Sequence, residues 1–178
     1  MSIYMFENRR PQVDSSAFVA ESAILIGDVR IGKNVYIGHG AILRGDYGTI
    51  IIGDGTAIEE GVIMHARPDD QTVLGADVTV GHGAMIHNAK IKDNAVIGMR
   101  ATISDYSEVG QWAIIGEMSL VKNSQIIPDM VIAVGVPAQV IGNVNEKHRA
   151  IWSYGKRLYV EMAQRYKVPG AFVRIDAS

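Results

Sequence analysis

"IKDNAVIGMRATISDYSEVGQWAIIGEMSLVKNSQII", residues 91–127, places an aliphatic side chain at every sixth position: Ile91, Ile97, Ile103, Val109, Ile115, Val121 and Ile127. A beat of six fits neither the 3.6-residue period of a helix nor the two-residue alternation of a long strand. It suits a short strand with alternate residues facing inward, then a tight corner, then the same again. The beat extends upstream through Val13, Val19, Leu25, Ile31, Ile37 and Leu43, resumes at Ile52, Ile58 and Met64, and resumes again at Leu74, Val80 and Ile86. Small or slim residues sit two positions before most of these anchors, as at Ala17, Ala23, Val29, Val35, Ala41, Ala89, Ala95 and Ala101. Gly, Asp and Asn cluster just after them, as in "IGDVRIGKNVYIGHG" (26–40), where a chain must turn. Such units cannot bury a face alone, so they stack into a parallel β-helix, each rung sealing the one before it. With three sides per coil, one coil takes about eighteen residues. A β-sandwich of short strands would instead alternate over longer stretches without a fixed beat.

The beat is interrupted three times. Nine residues separate Leu43 from Ile52, ten separate Met64 from Leu74, and five separate Ile86 from Ile91. The first two gaps predict loops protruding from a corner, "DYGTII" (46–51) and "ARPDDQT" (66–72), and loops on a rigid scaffold commonly carry function. After about Ile141 the pattern changes. "NEKHRAIWSYGKRLYVEMAQRYK" (145–167) has helical spacing, with Ile151, Tyr154, Leu158 and Met162 on one face. Asn145 is the expected N-cap and Pro169-Gly170 the stop. The expected organisation is one domain: a β-helix over 1–141, and a C-terminal segment over 142–178 whose helix packs on its outside.

Composition narrows the function. The 178 residues carry a net charge of −2, 20% charged and 48% hydrophobic residues, and no lysine or arginine run, which argues against nucleic acid as a partner. No apolar stretch is long enough to span a bilayer, and "MSIYMFENRRPQ" (1–12) lacks the apolar core of a signal peptide, so no membrane partner is expected. Cysteine is absent, which removes disulfides and thiolate ligands and agrees with a reducing cytoplasm.

Counting three anchors per coil sorts the five histidines. Leu43, Met64 and Ile86 are one coil apart, so the residues after them, Arg44, His65 and His87, occupy equivalent outward positions on successive rungs, about 4.8 Å apart. His82 follows anchor Val80 by two and lies at the preceding corner, projecting away from that pair. Two histidines make a poor metal site, whereas three with an open position make a good catalytic one. The spacing therefore implies that His82 of one subunit completes the site of its neighbour, in a ring that a three-sided prism closes as a trimer. His39 and His148 are expected to be structural.

These residues resemble a known family. The beat together with "AILRGD" (41–46), "GVIMH" (61–65), "VGHGAMIH" (80–87), "VGVPA" (134–138) and the C-terminal helix is similar to the gamma-class carbonic anhydrases. The likeness is closest to the short-loop members labelled carbonic anhydrase-like or ferripyochelin-binding proteins. The resemblance implies a left-handed parallel β-helix and a homotrimer with His65 and His87 from one subunit and His82 from the next. It also implies zinc, or iron(II) or cobalt, and reversible hydration of carbon dioxide to bicarbonate. Arg44 and Asp46 match the family's interface pair beside the metal, and Tyr159 matches a tyrosine that approaches it. Two departures stand out. "AIEEGVIMH" (57–65) has Ala57 where the family has asparagine, Glu59 where it has the water-orienting glutamine, and Glu60 where it has aspartate. The long acidic proton-shuttle loop is replaced by "ARPDDQT", with Asp69 and Asp70. Metal binding without hydratase activity is therefore a second expectation. A hexapeptide acyltransferase with a lone histidine base is a third.

Overall fold

In the computed structural model, which describes residues 2–173 and 175, the chain winds as a left-handed parallel β-helix of about seven turns and ends in one helix. Residues 1, 174 and 176–178 of the expected segments lie outside the described residues. Left-handed winding is the rarer sense for parallel crossovers. The corners accommodate it with residues in the left-handed backbone region, among them Asn34, Asp77, Asn88 and Asn94.

The hexad anchors do what their period requires. Leu25, Ile37, Leu43, Ile58, Met64, Ile86, Ile97, Ile103 and Ile115 are at most 1% exposed and share one axial core with Ala23, Ala41, Ala95 and Ala101. Register confirms the coil length: Ile37 lies beside Val19 and Ile115 beside Ile97, each eighteen residues on. At one rung per coil, each anchor stacks on its counterpart and the interior is a column of aliphatic carbon.

Three faces result. The first runs through Ile63–His65, Met85–His87, Thr102–Ile103 and Leu120–Val121, the second through Gln71–Leu74, Lys90–Ile91, Glu108–Val109 and Ile126–Ile127. Strands Ile24–Ile31 and Ile42–Ile52 run unbroken around the corner between them, so both faces form a single twelve-stranded sheet. The third face is an eight-stranded sheet, including Tyr36–Ile37, Ala57–Ile58 and Thr79–Val80, closed by the antiparallel strand Gln139–Asn143.

Two expectations need correction. "DYGTII" is not a protruding loop: Asp46–Gly48 are absorbed as an irregularity inside strand Ile42–Ile52, and Thr49–Ile52 return to pair with Gln71–Leu74. The backbone hydrogen bonds of both neighbouring strands hold the extra residues against the wall. "ARPDDQT" does leave the wall, as a turn between His65 and Gln71.

The second correction concerns helix α1 (Glu146–Tyr166), which packs on the third face. Asn145 caps it, its side chain accepting from the His148 backbone N–H while His148 Nδ1 accepts from the Asn145 N–H. The face turned inward carries Lys156 and Ala163 with Tyr159, Met162 and Tyr166, whereas Ile151, Tyr154 and Leu158 are exposed. The third face offers the rings of Phe18, which stacks on Tyr166, and of Tyr36, which meets Tyr159 at a tilt. It also offers carbonyl oxygens: Lys156 donates to Asp77 O at 2.6 Å and to Ala95 O at 3.4 Å. A lysine whose stem is apolar and whose tip is satisfied outcompetes the aliphatic stripe for that surface. Among the described residues no helix is long and apolar enough to cross a membrane.

Candidate functional site

Strand register puts Arg44 beside His65 and His65 beside His87, on three successive rungs at the corner between the first and second faces. Each inward anchor fixes the outward direction of the residue after it, so the column follows from the beat. His65 Nδ1 and His87 Nε2 face each other at 3.1 Å. The other nitrogen of each ring is held by a carboxylate. His65 Nε2 lies 2.9 Å from Asp46 Oδ1, and His87 Nδ1 contacts Asp105 Oδ1.

Each carboxylate is in turn gripped by an arginine. Arg44 donates to Asp46 Oδ2 at 2.6 Å, and Arg67 donates to Asp105 Oδ2 at 2.6 Å. The hydrogen bond from Arg67, then that to His87, holds the Asp105 carboxyl below the usual range. Burial pushes the Asp46 carboxyl upward, but hydrogen bonds from Arg44 and His65 overcome it and the net direction is down. Asp105 and Arg67 were not among the residues singled out from the sequence. The signal was present: Met85–Ile86 pair with Thr102–Ile103, so Asp105, just past that strand, stands one rung beyond His87 at the same corner.

The remaining three candidates gather at the other edge of the first face. His82 sits in the corner between Thr79–Val80 and Met85–His87. Its Nδ1 is 2.8 Å from Glu60 Oε2, its Nε2 3.1 Å from Glu59 Oε2, and its backbone N–H donates to Glu59 Oε2 at 3.1 Å. Glu59 is 6% exposed and lies beside Tyr159 at the groove between the third face and helix α1. Burial raises the Glu59 carboxyl, opposed by His82, and burial with the nearby Glu59 charge raises the Tyr159 phenol. A groove of about 350 Å³ between the third face and helix α1 reaches these groups, with Met99, Ile115 and Trp152 in its walls.

The seven candidates thus fall into two sets within one chain. Arg44, Asp46, His65 and His87 share one corner, and Glu59, His82 and Tyr159 share the next. Among the described residues of a single chain no three His, Asp or Glu side chains are grouped so as to hold a metal ion. Asp70 binds Asn88 Nδ2 at 2.8 Å and stabilises the "ARPDDQT" turn, while His39 bonds Ser22 Oγ at 2.9 Å.

The architecture and corner motifs define a left-handed β-helix protein of the hexapeptide-repeat class. No family model matches the chain. The carnitine operon protein CaiE of Escherichia coli (strain K12) is 42% identical over 146 residues, 82% of this chain and 74% of that protein. The crystal structure of a putative acetyltransferase from Bacillus cereus is 37% identical with a TM-score of 0.92, covering 93% of this chain and 96% of that one. A hexapeptide transferase family protein from Anaplasma phagocytophilum is 30% identical with a TM-score of 0.89, covering 93% and 98%. The chain belongs to the CaiE family of gamma-class carbonic anhydrase-like hexapeptide-repeat proteins.

Proposed function

We propose that this protein interconverts carbon dioxide and bicarbonate at a metal held between subunits of a cytoplasmic homotrimer. The observation that carries the reading is the facing pair His65 Nδ1 and His87 Nε2 at 3.1 Å, with a carboxylate on the far nitrogen of each ring. A tetrahedral ion with metal–nitrogen bonds of about 2.0–2.1 Å spans roughly 3.3 Å between two ligand nitrogens, so the pair fits zinc with little adjustment. Carboxylates on the outer nitrogens are the usual supports of metal-binding imidazoles. Iron(II) and cobalt suit the same donors.

The third ligand is His82 of the next subunit. Between the two corners lies the first face, whose outward column Ile24, Ile42, Ile63 and Met85 is in register, with Ile63 and Met85 43% and 47% exposed. An apolar column flanked by two half-sites is what a threefold, heterologous contact requires. Closing that ring buries the column around the axis and creates three sites.

A divalent ion at such a site acidifies water enough for hydroxide to be available near neutral pH. The reaction is then CO₂ + H₂O ⇌ HCO₃⁻ + H⁺. Arg44, 42% exposed at its side chain, attracts and orients bicarbonate, and Asp46 fixes both Arg44 and the His65 ring. Glu59, held at the corner by the His82 backbone N–H, accepts a hydrogen bond from the attacking water and takes its proton. An ionised carboxylate there donates nothing to bicarbonate, unlike the glutamine it replaces.

Carbon dioxide hydration followed by a pH indicator in stopped flow, with zinc- or iron(II)-loaded protein and a His87→Ala control, tests the reading. A metal-dependent rate lost in His87→Ala supports it. Metal bound by a trimer with no rate above buffer would make the protein a metal-binding scaffold. The 37% identity to a putative acetyltransferase favours a further reading, metal-independent acetyl transfer from an acyl thioester, which acetyl-CoA consumption without metal would establish.

A further inference from the structure

We propose that Asp105 is a positioning residue of the metal centre. Gripped by Arg67, it holds the proton of His87 on Nδ1, so that the Nε2 lone pair already points at His65 before an ion arrives. The inference rests on the metal reading above and assigns work to two residues outside the motif-bearing stretches.

The geometry is that of two matched relays. Arg44, Asp46 and His65 form one, and Arg67, Asp105 and His87 form the other, with an arginine–carboxylate distance of 2.6 Å in each. The first is local, because Asp46 follows Arg44 by two residues in one strand. The second is assembled across rungs, Arg67 reaching a carboxylate 38 positions away. The Asp105 side chain is only 14% exposed, and the Arg67 guanidinium lies 5.8 Å from the Tyr106 ring centroid. The carboxylate is therefore fixed in place on three sides: by the arginine, the imidazole and the wall.

A neutral imidazole has one N–H. A carboxylate only accepts, so each relay draws that hydrogen to the outer nitrogen of its ring. Two lone pairs are then left face to face at 3.1 Å, an arrangement that favours a cation between them. If Asp105 were absent, His87 could place its hydrogen on Nε2 and donate it to His65 Nδ1. That hydrogen bond would satisfy both rings and close the position to a metal. Asp105 keeps this competing pair from forming.

The test uses the full-length protein. Imidazole ¹⁵N chemical shifts of the metal-free protein report the His87 tautomer, and competition with a chromophoric chelator reports zinc affinity. Asp105→Asn offers an amide N–H to Nδ1, which stabilises the Nε2–H tautomer without changing the side chain's shape. Asp105→Ala merely releases the ring. The expected result is the Nδ1–H tautomer in the wild type and the Nε2–H tautomer in Asp105→Asn. Zinc affinity should fall by roughly 10–100-fold in Asp105→Asn and by less in Asp105→Ala. Circular dichroism and particle mass confirm that each variant folds and assembles, and Asp129→Asn, a charge loss at an exposed carboxylate bound to Gln111 N–H and Lys92, should leave affinity unchanged. Wild-type zinc affinity in Asp105→Asn, or an equal loss in the Asn and Ala variants with the tautomer unmoved, would overturn the proposal. In that case a large loss in His87→Ala leaves the metal reading standing, whereas zinc binding undiminished in His87→Ala removes that reading and the proposal together.

Discussion

Lys156 should make the protein more stable in mild alkali than at neutrality. Its side chain is 5% exposed beneath helix α1, with Nζ on Asp77 O, Thr79 Oγ1 and Ala95 O. Burial lowers its pKa from 10.5 to about 8, only partly opposed by the Asp77 charge. Below that value both folded and unfolded chains carry the proton, and folding bears the cost of burying an ammonium. Between about 8 and 10.5 the unfolded chain still binds the proton and the folded chain has released it, so stability rises with pH through that window. The difference is about 2.5 units, and at 1.36 kcal/mol per unit the full effect is about 3 kcal/mol. For a chain of this length that corresponds to a rise in Tm of roughly 6–12 °C if no other group titrates. Tyr36 and Tyr159, both raised chiefly by burial, oppose it above pH 10, because only the unfolded chain then loses phenolic protons. The useful range is therefore pH 7 to 10. Urea unfolding followed by Trp fluorescence should show stability increasing across it in the wild type. In Lys156→Met, which keeps most of the stem and removes the titrating group, the increase should vanish. A flat wild-type profile, or the same rise in both proteins, refutes the reasoning.

Two further outcomes follow from the faces. Met85→Glu sets a carboxylate in the outward column of the first face, where Met85 is 47% exposed, and should shift the measured particle mass from trimer to monomer and weaken zinc binding by withdrawing His82. A trimer of undiminished stability would separate that face from assembly. Gly27→Ala should destabilise the coil by more than about 1 kcal/mol in urea unfolding, since Gly27 has φ +74° and an added Cβ would lie 2.2 Å from Gly45 O. Wild-type stability would mean that the corner yields more readily than its packing suggests.

The β-helix was legible because its signal is redundant. Each coil offers three anchors, and every anchor from Val19 to Ile127 is buried where the beat places it. The pairing of His65 with His87 was legible for the same reason, as a difference of one coil. What failed was local. A gap of nine residues reads as an excursion, yet the wall can take up three residues as an irregularity when the strands on both sides keep their hydrogen bonds. The helix face was misjudged because counting apolar residues ignores what the surface opposite has to offer. Aromatic rings and accessible carbonyl oxygens on the third face selected Tyr159, Tyr166 and Lys156 over Ile151 and Leu158.

The candidate site was harder to read than the fold because its residues come from different levels of the structure. Motif reading finds groups close in sequence, such as Arg44 with Asp46. In a β-helix, however, spatial neighbours recur at coil-length intervals, and those intervals here are not constant. Register joins Leu43 to Met64 over 21 residues, Met64 to Ile86 over 22, and Ile86 to Ile103 over 17. A fixed interval misses such partners unless the insertions are first assigned to corners. Asp105 is reached only by following the corner column one rung past the last histidine. His82 is further removed, since no path along one chain brings it to His65 and His87: it shares a corner with Glu59 and Glu60. The two half-sites flank a single apolar face, so the contact that would bury Ile63 and Met85 is also the contact that would complete the site. On the proposed reading assembly and metal affinity are coupled, and a substitution that loosens the face should weaken zinc binding even with all three histidines intact.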